Sequence, residues 1–548
     1  MSKIKIFAIG GLDEVGKNMY VVEVEKQMFI FDAGLKIPEG QFGIDKIIPD
    51  FTYIEKNQEK IEGIFLTHGH FDAIGAMPEL LELIPNLPVY GSNLTIEILK
   101  LLLEETVINA TNLNVIKAHR KIDFGDVSIF PIQVSHSIPD ALGFVINTSD
   151  GNIIYTGDFV FNPVAVGTYQ TDIGKLAYIG KQQQVLCLLT DSTATDNLSH
   201  AGTFDHPEIF LEDIFATHNK RIIISTFSTN YYYIQEVMNQ VALNHRKLII
   251  VGKKFKNLVD RSIELKYLKF NKKLFGSIND INSDKAVILV GDDSIELFNT
   301  INKIAHDHDK LIKLKNTDAF VLFHPVLMGA EVMMASIMDL ICKKGTKYYQ
   351  LPKQYFNSYN ASREDLLMMI NLIQPKYLMP VRGEYRNQVA SKEAALMFGM
   401  KENQIILVDN GDVVEFKDGK LMPIVDKVPV GDVLIDGINT DNLGDVVLKD
   451  REVLANGGIV VISVVLDKKT KKIISGPEVL TKGFVFLKDN QEIINDTQKL
   501  TKKVIEQNIK NNYIDYNEAK KEIRRVVGDY LYNKTKARPM IISITQEI

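Results

Sequence analysis

Cysteine is nearly missing from this chain. Among 548 residues there are two, Cys187 and Cys342, each alone in an apolar context. Neither has a partner at metal-ligand spacing. This excludes a disulfide framework and a cysteine-bound zinc, and predicts two reduced core residues of a cytoplasmic protein. Long hydrophobic runs are also missing. No stretch of 18 apolar residues occurs, so no membrane span is expected, and the apolar start Met1–Ile9 reads as a strand rather than a signal peptide. Internal repeats and low-complexity tracts are absent too. Positive charge is short overall, with a net of −6 that argues weakly against nucleic acid. The deficit is uneven, however. Residues 467–548 carry 17 Lys+Arg against 11 Asp+Glu (net +6), and residues 1–466 carry 46 against 58 (net −12). A basic tail on an acidic body permits a polyanionic partner, although a solvated helix face explains charge alone equally well.

The composition is that of an ordinary globular chain, 45% apolar and 24% charged, long enough for two to four domains. Up to about residue 190, short apolar runs predict strands at 3–9, 19–25, 27–32, 63–67, 127–134, 143–147, 153–156 and 185–190, with helices near 76–84 and 93–105. So many strands before the first long helix favour an α+β sandwich over a doubly wound sheet. From residue 206 strands and helices alternate, with strands at 221–226, 247–251, 286–290, 319–323 and 347–351, as in a separate parallel-sheet unit. Strands return at 377–381, 404–408 and 412–416, which an inserted domain would explain. The Gly- and Asp-rich stretch 436–445 reads as a linker. Beyond it, strands 458–466, 472–479 and 540–545 and helices 491–510 and 516–533 form a small α/β module. Its helices carry apolar stripes, Ile493, Leu500 and Val504 on one and Ile523, Val527, Tyr530 and Leu531 on the other, which serve packing within the module or assembly.

The densest chemistry lies at Ile64–Gly75, where an apolar strand runs into His68, His70 and Asp72 at spacing two. Two histidines one residue apart after a strand point the same way and can chelate one ion. An aspartate two residues further on can serve an adjacent ion. Asp32, His136, Asp158 and Asp191 each follow a strand as well. Singly, each is explained as a loop or capping residue. In this order, the set points to a metal-hydrolase ancestry.

The ordered set resembles the metallo-β-lactamase fold of nucleic-acid hydrolases with an inserted β-CASP domain, and within that group the ribonuclease J family over essentially the full length. The resemblance is carried by Gly-Gly-Leu-Asp-Glu-Val-Gly-Lys-Asn-Met (10–19), His-Ser-Ile-Pro-Asp (136–140), Tyr-Thr-Gly-Asp-Phe (155–159) and Arg-Pro-Met-Ile-Ile (538–542). It implies an αββα sandwich at 1–205 and 362–435, split by a parallel-sheet β-CASP domain at 206–361. A linker at 436–466 and a C-terminal α/β domain at 467–548 follow. It also implies a two-metal ribonuclease. The first ion would take His68, His70 and His136 with Asp158 bridging. The second would take Asp72, Asp158 and the positions of Ala73 and Arg382. Asp32 would orient ligands from behind, and Asp72, Asp158 and Asp191 would be the catalytic carboxylates.

The departures from the family cluster on one half of this site. Ala73 and Arg382 stand where the family has histidine ligands. The phosphate-contacting His-x-Ser-Gly-His element aligns with Phe356, Asn357, Ser358, Tyr359 and Asn360, which keeps only the serine. The resemblance therefore implies one Zn or Mn ion at the first position and an impaired or empty second position, where two carboxylates alone would favour an oxygen-preferring ion such as Mn²⁺. Arg382 is expected to act as a phosphate clamp beside the substrate-binding segment 356–360. Losing the second ion and a transition-state histidine costs on the order of 10³-fold in rate. This pattern of loss resembles the second, catalytically degenerate ribonuclease J paralogue of some bacteria. Such a chain would be an RNA-processing and RNA-decay subunit, forming homo- or hetero-oligomers with a more active paralogue. An active 5′-to-3′ exo- and endoribonuclease and a small-molecule metallo-hydrolase are the competing readings.

Overall fold

The computed structural model describes residues 3–38, 43–106, 108, 110–162, 167–196, 207–292, 294–326, 330–352, 360–436, 445–484, 491–510 and 513–548. The chain divides into two compact units, Met1–Ile37 with Lys46–Val433, and Pro38–Asp45 with Leu434–Ile548. Among the described residues no helix is long and apolar enough to cross a membrane.

The larger unit is built on two face-to-face sheets. The first runs, in spatial order, through 420–421, 414–417, 3–10, 19–24, 27–31, 61–65, 89–91 and 113–115. The second runs through 377–381, 185–191, 151–155, 142–148, 127–133 and 122–124. Alternation along the strands sends one face of each sheet inward: Ile4, Ile6, Tyr20, Val22, Phe29, Phe31 and Phe65 meet Phe144, Ile146, Ile153, Tyr155 and Leu186. Phe31 packs on Phe65 (5.6 Å between centroids) and on Tyr155 (5.8 Å), and Tyr155 on Tyr20 (5.2 Å). This aromatic stack places two phenol groups at one edge of the core. Helices cover the outer faces, Met77–Leu83 and Asn93–Thr106 by the first sheet, Ile173–Gln182, Arg363–Ile373 and Tyr385–Phe398 by the second.

The expected insertion is visible in the pairing. Strand 377–381 lies parallel beside 185–191, with Cys187 opposite Tyr377 and Asp191 opposite Val381. Strand 414–417 closes the first sheet antiparallel to 3–10, with Lys3 opposite Lys417. Between 185–191 and 377–381 the chain builds a five-stranded parallel sheet in the order 247–251, 286–292, 222–227, 319–322, 347–350. Its core includes Ile223, Ile288, Phe298 and Phe320. Arg221, immediately before strand 222–227, is fully buried, with its Nε 2.9 Å from Asp318 Oδ1 and its NH2 2.5 Å from Asp318 Oδ2.

In the smaller unit, strand 459–466 lies between 473–482 and 540–547, and helices Gln491–Asn508 and Tyr516–Thr535 share the core formed on one side. The second expected apolar stripe holds, with Ile523, Val527 and Leu531 buried. The first is rotated: Ile494, Thr497, Thr501, Val504 and Ile505 are buried, while Ile493 and Leu500 are partly exposed.

Three expectations need correction. Cys187 is a core residue, but Cys342, expected in the core as well, is exposed. Residues 404–408 are not a strand, because Glu402–Gln404 is a 3₁₀ turn and Ile405 makes only an isolated bridge to Leu378. The span 436–466 is not a linker throughout. Asp445–Gly457 is a helix, and 459–466 is the central strand of the C-terminal sheet, so the apolar alternation there belongs to the module's core. The polar-rich helix Lys253–Glu264 was hidden because only Phe255, Val259 and Ser262 turn inward.

Breaking the buried Arg221–Asp318 pair leaves an uncompensated charge. Arg221→Ala is expected to lower stability by about 3–5 kcal/mol, read from denaturant unfolding.

Candidate metal centre and active site

The strands of the sandwich end at a common edge, and the polar residues that follow them converge there. Strand 61–65 runs through Leu66 and Thr67 into His68, and the short helix Phe71–Ile74 carries Asp72 on its first turn. His136 and Asp158 come from the loops after 127–133 and 151–155. The three imidazoles stand mutually edge-on, with centroids 4.7 Å (His68–His70), 4.8 Å (His68–His136) and 4.9 Å (His70–His136) apart. His136 Nε2 lies 3.1 Å from His70 Nδ1. Two sets of donor atoms are close enough to share one ion: His68, His70 and His136, and His68, Asp72 and Asp158, each within 4.8 Å.

The first set fits a metal. Asp32, wholly buried, accepts the Thr67 backbone N–H (2.8 Å) and the Thr67 hydroxyl (2.9 Å to Oδ2). That hydroxyl lies 2.8 Å from His68 Nδ1. With its own proton committed to Asp32, it can only accept, so Nδ1 carries the ring proton and Nε2 presents a lone pair. His68 Nε2 is buried without a hydrogen-bond partner and lies 3.5 Å from Asp158 Oδ2. Burial, reinforced by the neighbouring histidines and Arg382, holds the His68 pKa well below its ordinary value, and burial lowers that of His70. Neutral imidazoles are the ligand form.

The second set is already engaged. Arg382 NH2 donates to Asp158 Oδ2 (2.7 Å) and to Asp72 Oδ2, and NH1 lies 3.2 Å from the Tyr155 hydroxyl. Asp32 Oδ2 is 3.7 Å from the same guanidinium and accepts the Tyr155 hydroxyl at 2.8 Å. Burial opposes the charge on Arg382, but Asp158 and Asp72 outweigh it and hold its pKa above the ordinary value. For Asp158, burial pushes the carboxyl upward against the pull of Arg382. Ala73, fully buried, contributes only a methyl group. These residues do not fit a second metal ion.

The sequence placed several roles differently. Arg382, expected to face a phosphate, has a side chain only 3% exposed and is surrounded by carboxylates. Asp191 is fully buried. It accepts from Thr193 N–H (2.9 Å) and hydroxyl (2.7 Å), from Ala361 N–H (3.2 Å) and from the Asn360 amide (3.2 Å), which makes it a positioning group. Asn360 Nδ2 also reaches Asp158 Oδ1 at 3.2 Å, so this side chain ties two carboxylates together. Phe356, Asn357, Ser358 and Tyr359 lie outside the described residues. Residues not anticipated are Thr67, Tyr155, Tyr20 and Asn18. Tyr20 Oη accepts the Arg382 backbone N–H (3.0 Å), and Asn18 Nδ2 donates to Asp72 Oδ2 (3.2 Å). All but Tyr20 sit inside the quoted motifs, which was the available signal. A cleft of about 210 Å³ opens here, lined by Asn18, His70, Asp72, His136, Asp158, Asn360 and Arg382.

A sandwich with histidine and aspartate ligands at one edge, interrupted by a parallel-sheet domain, defines a metallo-β-lactamase-type hydrolase with a β-CASP insertion. Family models match in four segments: the beta-lactamase superfamily domain (29–219), the ribonuclease J beta-CASP domain (219–341), the Zn-dependent metallo-hydrolase RNA specificity domain (358–406) and the ribonuclease J C-terminal domain (446–548). The chain is similar to "Ribonuclease J2" of Bacillus subtilis (strain 168), 34% identical over 551 residues covering 100% of this chain and 99% of that one. It is equally similar to "Ribonuclease J 2" of Staphylococcus epidermidis, 34% identical over 550 residues covering 100% and 98%. The chain belongs to the ribonuclease J family. A crystal structure of a protein of unknown function from Enterococcus faecalis V583 shares the fold, with a TM-score of 0.53 at 16% identity over 76% of this chain and 100% of that one.

Thr67→Val removes the acceptor that orients His68 while keeping its shape. It is expected to weaken Mn²⁺ or Zn²⁺ binding about 10- to 100-fold in calorimetric titration, with the fold intact by circular dichroism.

Proposed function

We propose that this protein is a cytoplasmic RNA-processing and RNA-decay subunit of ribonuclease J type, with weak or lost 5′-to-3′ exoribonuclease activity of its own. It acts in rRNA maturation and mRNA turnover by associating with a more active paralogue. One observation carries the reduced activity: the Arg382 guanidinium lies between Asp72 and Asp158, where a two-ion hydrolase needs its second cation. A guanidinium neutralises charge but cannot hold and acidify a water as a metal does. Asn360, where the family has a histidine, has no proton to lend to a leaving oxygen at neutral pH. The basic C-terminal segment, net +6 over 467–548, suits RNA. A single Zn or Mn ion on His68, His70 and His136 would lend structural order and limited Lewis acidity.

A second reading has its own support. The three-histidine set keeps a buried, unpartnered Nε2 on His68, as a working ligand would. A slow one-metal nuclease is therefore the alternative.

The purified chain with Mn²⁺ is expected to degrade 5′-monophosphorylated RNA on the order of 10³-fold more slowly than an active ribonuclease J, and to gain turnover only with such a partner. Degradation within about tenfold of the active enzyme by the chain alone, lost in His68→Ala, would give the case to the one-metal nuclease.

A further inference from the structure

Resting on the ribonuclease J-type reading above, we infer that Arg382 is the resident second cation of this centre. The protein therefore takes up one divalent ion, on His68, His70 and His136, and the Asp72–Asp158 half-site is closed to metal by a side chain built into the fold.

The geometry assigns this role in three ways. First, both carboxylates of the second donor set are bonded to the same guanidinium nitrogen, NH2, and the third nearby carboxylate, Asp32, lies 3.7 Å from NH1. An ion entering between Asp72 and Asp158 would have to displace a permanent positive charge that cannot be removed by deprotonation. Second, the remaining donors are few. Asp158 Oδ1 already accepts from Asn360, Asp72 Oδ2 also accepts from Asn18, and Ala73 offers nothing. Third, the arginine is fixed from behind. Its φ of +63° is a left-handed conformation that a residue with a side chain adopts at a cost. Its backbone N–H is held by Tyr20 Oη, its carbonyl accepts the Ser192 hydroxyl, and NH1 reaches Tyr155. A surface arginine that had swung into a vacancy would show none of this anchoring. The histidine side is different, since His68 Nε2 has no partner and faces the other two rings.

The test is metal stoichiometry, independent of catalysis. The full-length chain is loaded with Mn²⁺, freed of excess by dialysis, and read by elemental analysis and by electron paramagnetic resonance. One ion per chain with an uncoupled, mononuclear spectrum is expected for the wild type, and none for His68→Ala. The double variant Ala73→His with Arg382→His is expected to hold two ions with an exchange-coupled spectrum. Two ions or none in the wild type would overturn the inference, as would a double variant that melts cooperatively and still holds one. If the double variant does not fold, the wild-type stoichiometry and spectrum decide alone. Nuclease activity is scored separately. A one-ion wild type that degrades RNA rapidly would sink the reduced-activity reading and leave this one standing. A two-ion, inactive wild type would do the reverse.

Discussion

Asp32, Asp72 and Asp158 meet at the end of the sandwich, and the guanidinium of Arg382 lets them do so. Three carboxylates so close together repel, and burial removes the water that would otherwise screen them. The opposing charge comes from a residue more than 220 positions beyond Asp158 in sequence. It arrives there because strand 377–381 pairs with 185–191 and turns abruptly at Arg382. Much of the edge is organised around this contact. Tyr155 hydrogen-bonds Asp32 and Arg382 at once, Tyr20 holds the arginine's backbone, and both phenols stand at the end of the aromatic core. Packing and charge compensation are therefore one arrangement.

The same arrangement makes the centre asymmetric. On one side, Asp32 fixes Thr67, Thr67 fixes the His68 tautomer, and neutral imidazoles face each other ready for an ion. On the other side, the Arg382 guanidinium already bridges Asp72 and Asp158. The first side keeps a three-histidine donor set, and on the second a guanidinium neutralises the two carboxylates. RNA recognition needs shape and surface charge, which such a neutralisation leaves in place.

Much of this was legible in the sequence because the site residues sit at strand ends, and strands show themselves by alternation. His68, His70, Asp72, His136 and Asp158 were found that way, and the structure brings them together. The insertion was legible because strand patterning resumes at 377. Partnerships were not legible. That Arg382 turns toward carboxylates rather than outward depends on a left-handed backbone and a tyrosine from another strand, and neither leaves a local pattern. Asp191 looked like the other strand-end aspartates, yet its oxygens are taken by backbone and amide donors that only the tertiary fold brings near. The helix Asp445–Gly457 was obscured by the Gly- and Asp-rich stretch before it, whereas the central strand of the C-terminal sheet was read from its apolar alternation even though the domain boundary was drawn after it.

The pairing of 414–417 with 3–10 has a consequence for biosynthesis. Strand 3–10 is made some four hundred residues before its neighbour on that side. While the ribosome works through the inserted domain, one edge of strand 3–10 remains open, and an open β-edge invites pairing with other chains. The five-stranded inserted sheet has its own core and can form during that interval. The sandwich cannot close until residues beyond 414 emerge, so its completion and that of the buried charge cluster at Arg382 come late in synthesis, separated by only about thirty residues.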